Sequence, residues 1–267
     1  MRVTVCELSH EPVALGAAWD ELSEHIARNG SELVLLPEFA LVDPVWEEEH
    51  FDPARWSQAL AQSDASLHLL AELGAEHVVG TRPVSIDGRP YNQGYLWSAA
   101  ADDLTTLRRK FFLPDESRGW EARWFDRGDP EFPPFHVGAL SFGLNICTEL
   151  WALDTYADYA DRGVQVILSP RATAAATTAK WLSVGVVAAV RSGAFSLSSN
   201  RVDPTGACGG AGWIISPDGQ ILASTTPEAP FATIDIDLGA SAAARKGYPC
   251  SVFRGERRRT GVQAAMS

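Results

Sequence analysis

Gly143-Leu144-Asn145-Ile146-Cys147-Thr148-Glu149-Leu150-Trp151 is the stretch on which the reading of this 267-residue chain turns. Residues 141–146 are largely apolar, and residues 149–161 carry helix formers. That pattern predicts a short strand stopping at Cys147, with a helix starting at once. A cysteine at such a junction lies under the free N–H groups and the positive end of the helix, which favours thiolate over thiol. A thiolate on a sharp turn at a strand end is a usable nucleophile. A second reading stays open here, because free cysteine is also among the most buried residue types and a structural thiol suits the same pattern.

Outward from Cys147, apolar strands and amphipathic helices alternate. Strands are expected at residues 2–8, 32–38, 76–84, 135–146, 164–170, 195–202 and 232–237. Hairpins are expected across 91–112 and 212–224, and Asp87-Gly88 is a turn signal. The runs at 32–38 and 164–170 are continuously apolar, as in strands buried on both faces. Helices are expected at 13–28, after Asp52-Pro53, after Cys147 and at 178–190. In the first of these, Leu15, Trp19, Leu22 and Ile26 share one face, and Gly30 suits a C-cap. Residues 114–134, rich in Pro, Gly, Asp and aromatics, read as a long functional loop with a helical turn near 120–125. The balance of elements is α/β, with a mixed sheet or two packed sheets covered by helices. One domain over 1–267 is expected, with roughly 245–267 as a basic tail that carries Arg257-Arg258-Arg259, a surface-docking arm.

A net charge of −12 argues against nucleic acid or an anionic membrane as the main partner. No run approaches the ~20 apolar residues a membrane helix needs. Cys6, Cys147, Cys208 and Cys250 are widely spaced, with no CxxC pair to suggest zinc or redox chemistry. The N-terminus lacks the apolar core of a signal peptide, so a reduced, cytoplasmic setting is expected.

Three residues stand at the ends of three apolar runs: Glu38, Lys110 and Cys147. A glutamate can deprotonate a thiol and later a water. A lysine can donate to an oxyanion, and a cysteine can attack a carbonyl or nitrile carbon. These residue types permit acyl transfer without singling it out among many carboxylates and cations.

The motifs around them resemble those of the carbon–nitrogen hydrolase family, the nitrilase superfamily. Leu35-Leu36-Pro37-Glu38 matches its glutamate motif, Arg109-Lys110-Phe111-Phe112-Leu113 its lysine motif, and Asn145 through Trp151 its cysteine motif, at spacings of 72 and 37 residues. Glu121, ahead of Trp124-Phe125-Asp126-Arg127-Gly128-Asp129, matches a fourth element. The likeness continues through Ser169-Pro170, Trp181, Ser199-Asn200-Arg201 and the segment 213–219, covering nearly the whole chain.

The resemblance implies a four-layer α-β-β-α sandwich with mixed sheets, pairing of subunits into a homodimer or larger homo-oligomer, and neither metal nor organic cofactor. It implies Cys147 as nucleophile and Glu38 as general base. Lys110, together with the Thr148 backbone N–H, would be the oxyanion donor, and Glu121 would position substrate or Lys110. Thr148 stands where nitrile-cleaving relatives usually carry tryptophan, which points to a small-molecule amide as substrate. Leu150 and Trp151 occupy the region where relatives acting on N-carbamoyl amino acids carry arginines. Arg171 is either a contact for a substrate anion or a surface arginine at a strand end. Trp46, Trp120, Trp124 and Trp151 either line an apolar pocket or pack the core. The expected activity is thiol-dependent amide hydrolysis, with a nitrilase and a non-catalytic binding protein on the same fold as rivals.

Overall fold

The computed structural model describes residues 1–253 with the exception of His10. The Arg257-Arg258-Arg259 run therefore lies outside the described residues.

The first strand, β1 (Arg2–Ser9), joins two sheets. Its Val3–Val5 segment pairs in parallel with β2 (Leu33–Leu35), which continues to β3 (His77–Ile86), β4 (Arg89–Ser98) and β5 (Asp103–Arg109). Two residues on, Glu7–Ser9 pairs in parallel with β9 (Phe195–Val202). From β9 the second sheet runs through β8 (Val166–Arg171) and β7 (Leu140–Leu144) to β6 (Phe135–Val137). At the change of partner, the Cys6 N–H donates to Ser199 Oγ at 2.9 Å, and that hydroxyl donates to Leu35 O at 2.5 Å. One serine hydroxyl thus takes up backbone groups that neither ladder satisfies there. The hairpin of β10 (Trp213–Ile215) and β11 (Ile221–Ser224) extends β9, and β12 (Phe231–Asp235) lies antiparallel to β1.

The inner faces of the two sheets meet in one core: Val3, Val5, Leu35 and Val79 from one side, Phe142, Leu144, Leu168 and Leu197 from the other. Helix α1 (Pro12–Asn29) covers the first sheet, laying Trp19, Leu22 and Ile26 against Cys6, Leu8, Val34 and Val78. Helices α2 (Pro53–Ala65) and α3 (Leu69–Glu72) follow, where a single helix was expected. Asp52 caps α2 as expected, accepting from the Ala54 N–H at 2.8 Å, with Pro53 in the first turn. After the short α4 (Glu121–Trp124), helices α5 (Asp154–Asp161) and α6 (Thr178–Ser192) cover the second sheet through Tyr156, Tyr159, Val184 and Ala188. The layers run α-β-β-α with mixed sheets, as the sequence led us to expect. No described helix is long and apolar enough to cross a membrane.

Three local expectations are corrected. Residues 135–146 form two strands rather than one, with Gly138 at φ 54° making the turn between them. A further helix, α7 (Gly239–Ala244), follows β12. The chain beyond Arg245 is docked at first: Arg245 donates to Val164 O at 2.7 Å, and the Cys250 thiol to Val190 O at 3.1 Å on α6.

Candidate active site

Strand β7 ends at Leu144, and Cys147 opens a five-residue 3-10 turn, Cys147–Trp151. The expected helix beginning at Cys147 is therefore replaced by this turn, with α5 starting only at Asp154. Cys147 has φ 50°, a strained setting for a non-glycine residue. The strain is held by Glu149, which is fully buried. Its carboxylate accepts from the Ile146 N–H at 3.0 Å and the Phe111 N–H at 2.7 Å, and it pairs with Arg108. It therefore ties the cysteine turn to the end of β5, where Lys110 stands.

Lys110 is held from both sides of its own peptide: its N–H donates to Asn92 O at 2.8 Å, and its carbonyl accepts from the Gly128 N–H at 2.8 Å. Any side chain at position 128 would put a Cβ 2.6 Å from the carbonyl carbon of Arg109, so only glycine allows this approach. The buried ammonium donates to Glu38 Oε1 at 2.9 Å and Glu121 Oε1 at 2.6 Å. Glu38 emerges from β2 with its N–H on Arg171 O at 3.2 Å, and its Oε1 also accepts from Asn92 Nδ2 at 2.8 Å. The Oε2 atoms of Glu38 and Glu121 have no hydrogen-bond partner among the described residues.

Cys147, Thr148, Glu121, Trp46, Thr173 and Trp181 help to line a cavity of about 490 Å³. A second lobe of about 510 Å³ shares Thr148 and Trp181 with it and adds Phe112, Arg127 and Trp151. Trp151 is 46 % exposed, its ring centroid 5.7 Å from that of Trp181. Trp46 thus lies on the inner lobe and Trp151 on the outer one. Trp124 is packing: it is buried, and its indole N–H donates to Glu48 O at 2.7 Å. Trp120 packs beside it in the same aromatic cluster.

Electrostatics at the sulfur run against the helix-end effect expected from the sequence. Burial raises the Cys147 thiol well above its usual value, and Glu38 and Glu121 add to the rise. Lys110 and the Ala172 backbone amide, hydrogen-bonded to the sulfur, pull back only part of it. A five-residue 3-10 turn has little dipole to offer, so no helix end offsets this rise. Burial opposes the charge on Lys110, but Glu121 and Glu38 outweigh it and hold the ammonium protonated. Burial raises the Glu121 carboxyl, Lys110 pulls it back, and Glu38 raises it further.

Arg171 is not a surface arginine, and it does not reach the cavity wall. It is fully buried, its guanidinium occupied by Ser198, Thr173 and Ala211. Asn92, Arg108 and Glu149 were not singled out from the sequence. A carboxylate in the apolar stretch Ile146-Cys147-Thr148-Glu149-Leu150 and an amide inside a strand were the available signals, since buried polar groups need partners. Among the described residues, no group of three or more His, Cys, Asp or Glu side chains is placed to hold a metal ion.

Comparison with known proteins bears on this geometry. The fold is that of a carbon-nitrogen hydrolase from Helicobacter pylori G27, with a TM-score of 0.82 at 17% identity over 95% of both chains. It is also that of an amidase from Nesterenkonia sp. AN1, with a TM-score of 0.76 at 19% identity, covering 97% of this chain and 96% of that one. In that amidase structure, a mutant, the active-site cysteine carries the acetamide moiety of fluoroacetamide. A glutamine-dependent NAD(+) synthetase from Rhodobacter capsulatus is 27% identical over 232 residues, which are 84% of this chain and 40% of that protein. This chain thus spans about two-fifths of that relative's length. The carbon-nitrogen hydrolase sequence profile matches residues 3–246, and the chain belongs to that family.

Proposed function

We propose that the protein is a thiol-dependent amidohydrolase, converting an amide and water to a carboxylic acid and ammonia or an amine. One observation carries the reading: a buried lysine held between two carboxylates lies beside a cavity that Cys147 lines. Cys147 Sγ attacks the amide carbon while its proton passes to Glu38 Oε2, the oxygen left without a partner. The tetrahedral oxyanion is met by the Lys110 ammonium, which has a third N–H beyond its two carboxylate bonds, and by the Thr148 N–H. Collapse breaks the C–N bond, and the leaving nitrogen takes the proton from Glu38. Water then attacks the thioester carbon and gives its proton to Glu38. Collapse of this second intermediate expels the sulfur, which recovers that proton, and the acid departs. Glu121 lines the cavity with an Oε2 that has no partner among the described residues and is placed to hydrogen-bond the substrate's amide group. A resting thiol suits this scheme, because the proton moves as the bond forms.

Two lobes on either side of Thr148 and Trp181 leave room for substrates well beyond acetamide in size. Self-association of the chain belongs to the same proposal, and sedimentation equilibrium reads it. The deciding experiment offers matched amides and nitriles, with ω-amides and carbamoyl compounds alongside, to the wild type and to Cys147→Ser. Release of ammonia or amine from amides by the wild type alone supports the reading. Consumption of the nitrile instead makes the protein a nitrilase, and full activity in Cys147→Ser removes the nucleophile.

A further inference from the structure

Thr148 and Trp181 line both lobes of the cavity, whereas Cys147 and Glu121 line only the inner one. The outer lobe, about 510 Å³, therefore begins one residue beyond the nucleophile. It suits a part of the substrate that does not react. Large apolar rings stand open on its walls: Phe112 is 43 % exposed and Trp151 46 %. Uncovered aromatic side chains grouped in a concavity mark a ligand-binding groove.

These walls are braced from behind. Trp151 meets Trp181 of α6 edge to face, at 5.7 Å between ring centroids and 64°. Phe112 meets Phe111 at 5.0 Å and 86°, and stacks with Phe132 at 6.3 Å and 26°. The Phe132 ring in turn carries the Arg108 guanidinium, 3.9 Å from its centroid. Phe112 follows β5, while Trp151 closes the cysteine turn, and the Glu149 carboxylate ties the two segments together. It accepts from the Phe111 N–H at 2.7 Å, the Phe112 N–H at 3.4 Å and the Ile146 N–H at 3.0 Å. The lobe is thus shaped before a substrate arrives, which spares the cost of ordering its walls. Its charged residues offer little to a neutral guest. Asp115 is paired with Arg123 at 2.6 Å, Arg127 lies 5.5 Å over the Phe111 ring, and Glu116 opposes an anionic tail.

The carboxylates set the direction of the substrate. The leaving nitrogen takes its proton from Glu38, and Glu38 and Glu121 share the Lys110 ammonium. Glu121 lines the inner lobe, so the nitrogen points inward. The acyl substituent, on the other side of the carbonyl carbon, then runs past Thr148 into the outer lobe.

We propose that the outer lobe is the acyl subsite and takes a neutral aromatic ring: the preferred substrates are amides of arylalkanoic acids, and Trp151 and Phe112 determine that specificity. The proposal rests on the amidohydrolase reading and names its substrate class.

The test compares propionamide, 3-phenylpropionamide and the isomer N-benzylacetamide, which carries the ring on nitrogen. Binding is read by calorimetry in Cys147→Ala, and kcat/KM in the wild type. 3-Phenylpropionamide is expected to bind about tenfold more tightly than propionamide, with a similar advantage in kcat/KM. Adding Trp151→Ala should bring the affinity ratio of the two amides close to one, and Trp151→Phe should keep most of it. Phe112→Ala should lower the ratio as well, and it decides if Trp151→Ala fails to fold. Equal affinity for the two amides, or an unchanged ratio in a folded Trp151→Ala, overturns the proposal. Tighter binding of N-benzylacetamide than of 3-phenylpropionamide puts the ring on the amine side and also overturns it. The amidohydrolase reading fails separately, if the wild type leaves every amide intact while the affinity ratio and its loss in Trp151→Ala stand.

Discussion

Lys110 Nζ donates to Glu121 Oε1 at 2.6 Å, and neither side chain is more than 4 % exposed. The ammonium is also 2.9 Å from Glu38 Oε1, so one buried cation serves two buried carboxylates. Such a cluster is stable only as a whole, because its desolvation is offset by mutual attraction.

Lys110→Met is therefore expected to damage both stability and chemistry. It leaves Glu38 and Glu121 facing each other without the intervening charge. Removing one partner of a buried ion pair costs on the order of 3–5 kcal/mol. Loss of an oxyanion donor lowers kcat by roughly 10²–10³. Urea melts and steady-state kinetics on a confirmed amide check both. A near-normal kcat would take Lys110 out of the mechanism.

Glu121 makes stability depend on pH in a definite direction. Its carboxyl is raised to about 8, first by burial and then by Glu38, with Lys110 opposing. A folded state that binds a proton more tightly than the unfolded chain gains from that proton at low pH. The gain is complete below the ordinary carboxylate value and is lost as pH rises through about 8. Glu121→Gln lacks this titration. The Tm of the wild type minus that of the variant should fall steadily between pH 5 and pH 9. A flat or rising difference would mean that Glu121 stays ionised throughout.

Glu149 joins the two halves of the site. Its carboxylate holds the Ile146 and Phe111 N–H groups and the Arg108 guanidinium, spanning the cysteine turn and the end of β5. Glu149→Ala strands the buried Arg108 and frees both segments, with an expected loss of about 3–5 kcal/mol and most of kcat. Glu149→Gln keeps acceptors for the N–H groups and should retain more of both. Equal kcat for Ala and wild type, read alongside chemical melts, would deny Glu149 any part in shaping the site.

The contrast between Glu149 and Glu38 shows where sequence reading stops. Glu38 follows an unbroken apolar run, so its emergence from a buried strand was visible, as were the strand ends at Lys110 and Cys147. Long apolar runs and one-faced helices such as α1 gave a mixed sheet or two packed sheets under helices, and the family resemblance implied the sandwich. Glu149 sits in a similar run, but its partners lie on a distant strand, and no local period reports them. Arg171 followed Ser169-Pro170 at a strand end and read as either a contact for a substrate anion or a surface charge. Only the packing of Trp213 and Ser198 over it shows a buried charge. The turn after Cys147 was misread for a related reason. Four residues of helix-like sequence after a cysteine do not say whether an α-helix or a short 3-10 turn forms. The hairpin turn at Gly138 was likewise hidden inside a continuous apolar stretch.

Gly143 offers a test of packing behind the nucleophile. It lies in β7, and a Cβ there would come 2.5 Å from Cε2 of Tyr159 on α5. Tyr159 is fully buried, so the ring has nowhere to swing. Gly143→Ala must push α5 away from the second sheet, and overpacking of this kind costs typically ~1–3 kcal/mol. Tyr159→Ala removes the obstacle at the expense of a cavity. The double variant should therefore be more stable than the sum of the two single losses, with a coupling above about 0.5 kcal/mol. Additive losses in thermal and urea melts would mean that the sheet, not the ring, accommodates the methyl group. A displaced α5 also pulls on the Cys147–Trp151 turn that leads into it, so Gly143→Ala should lose kcat beyond its loss of stability.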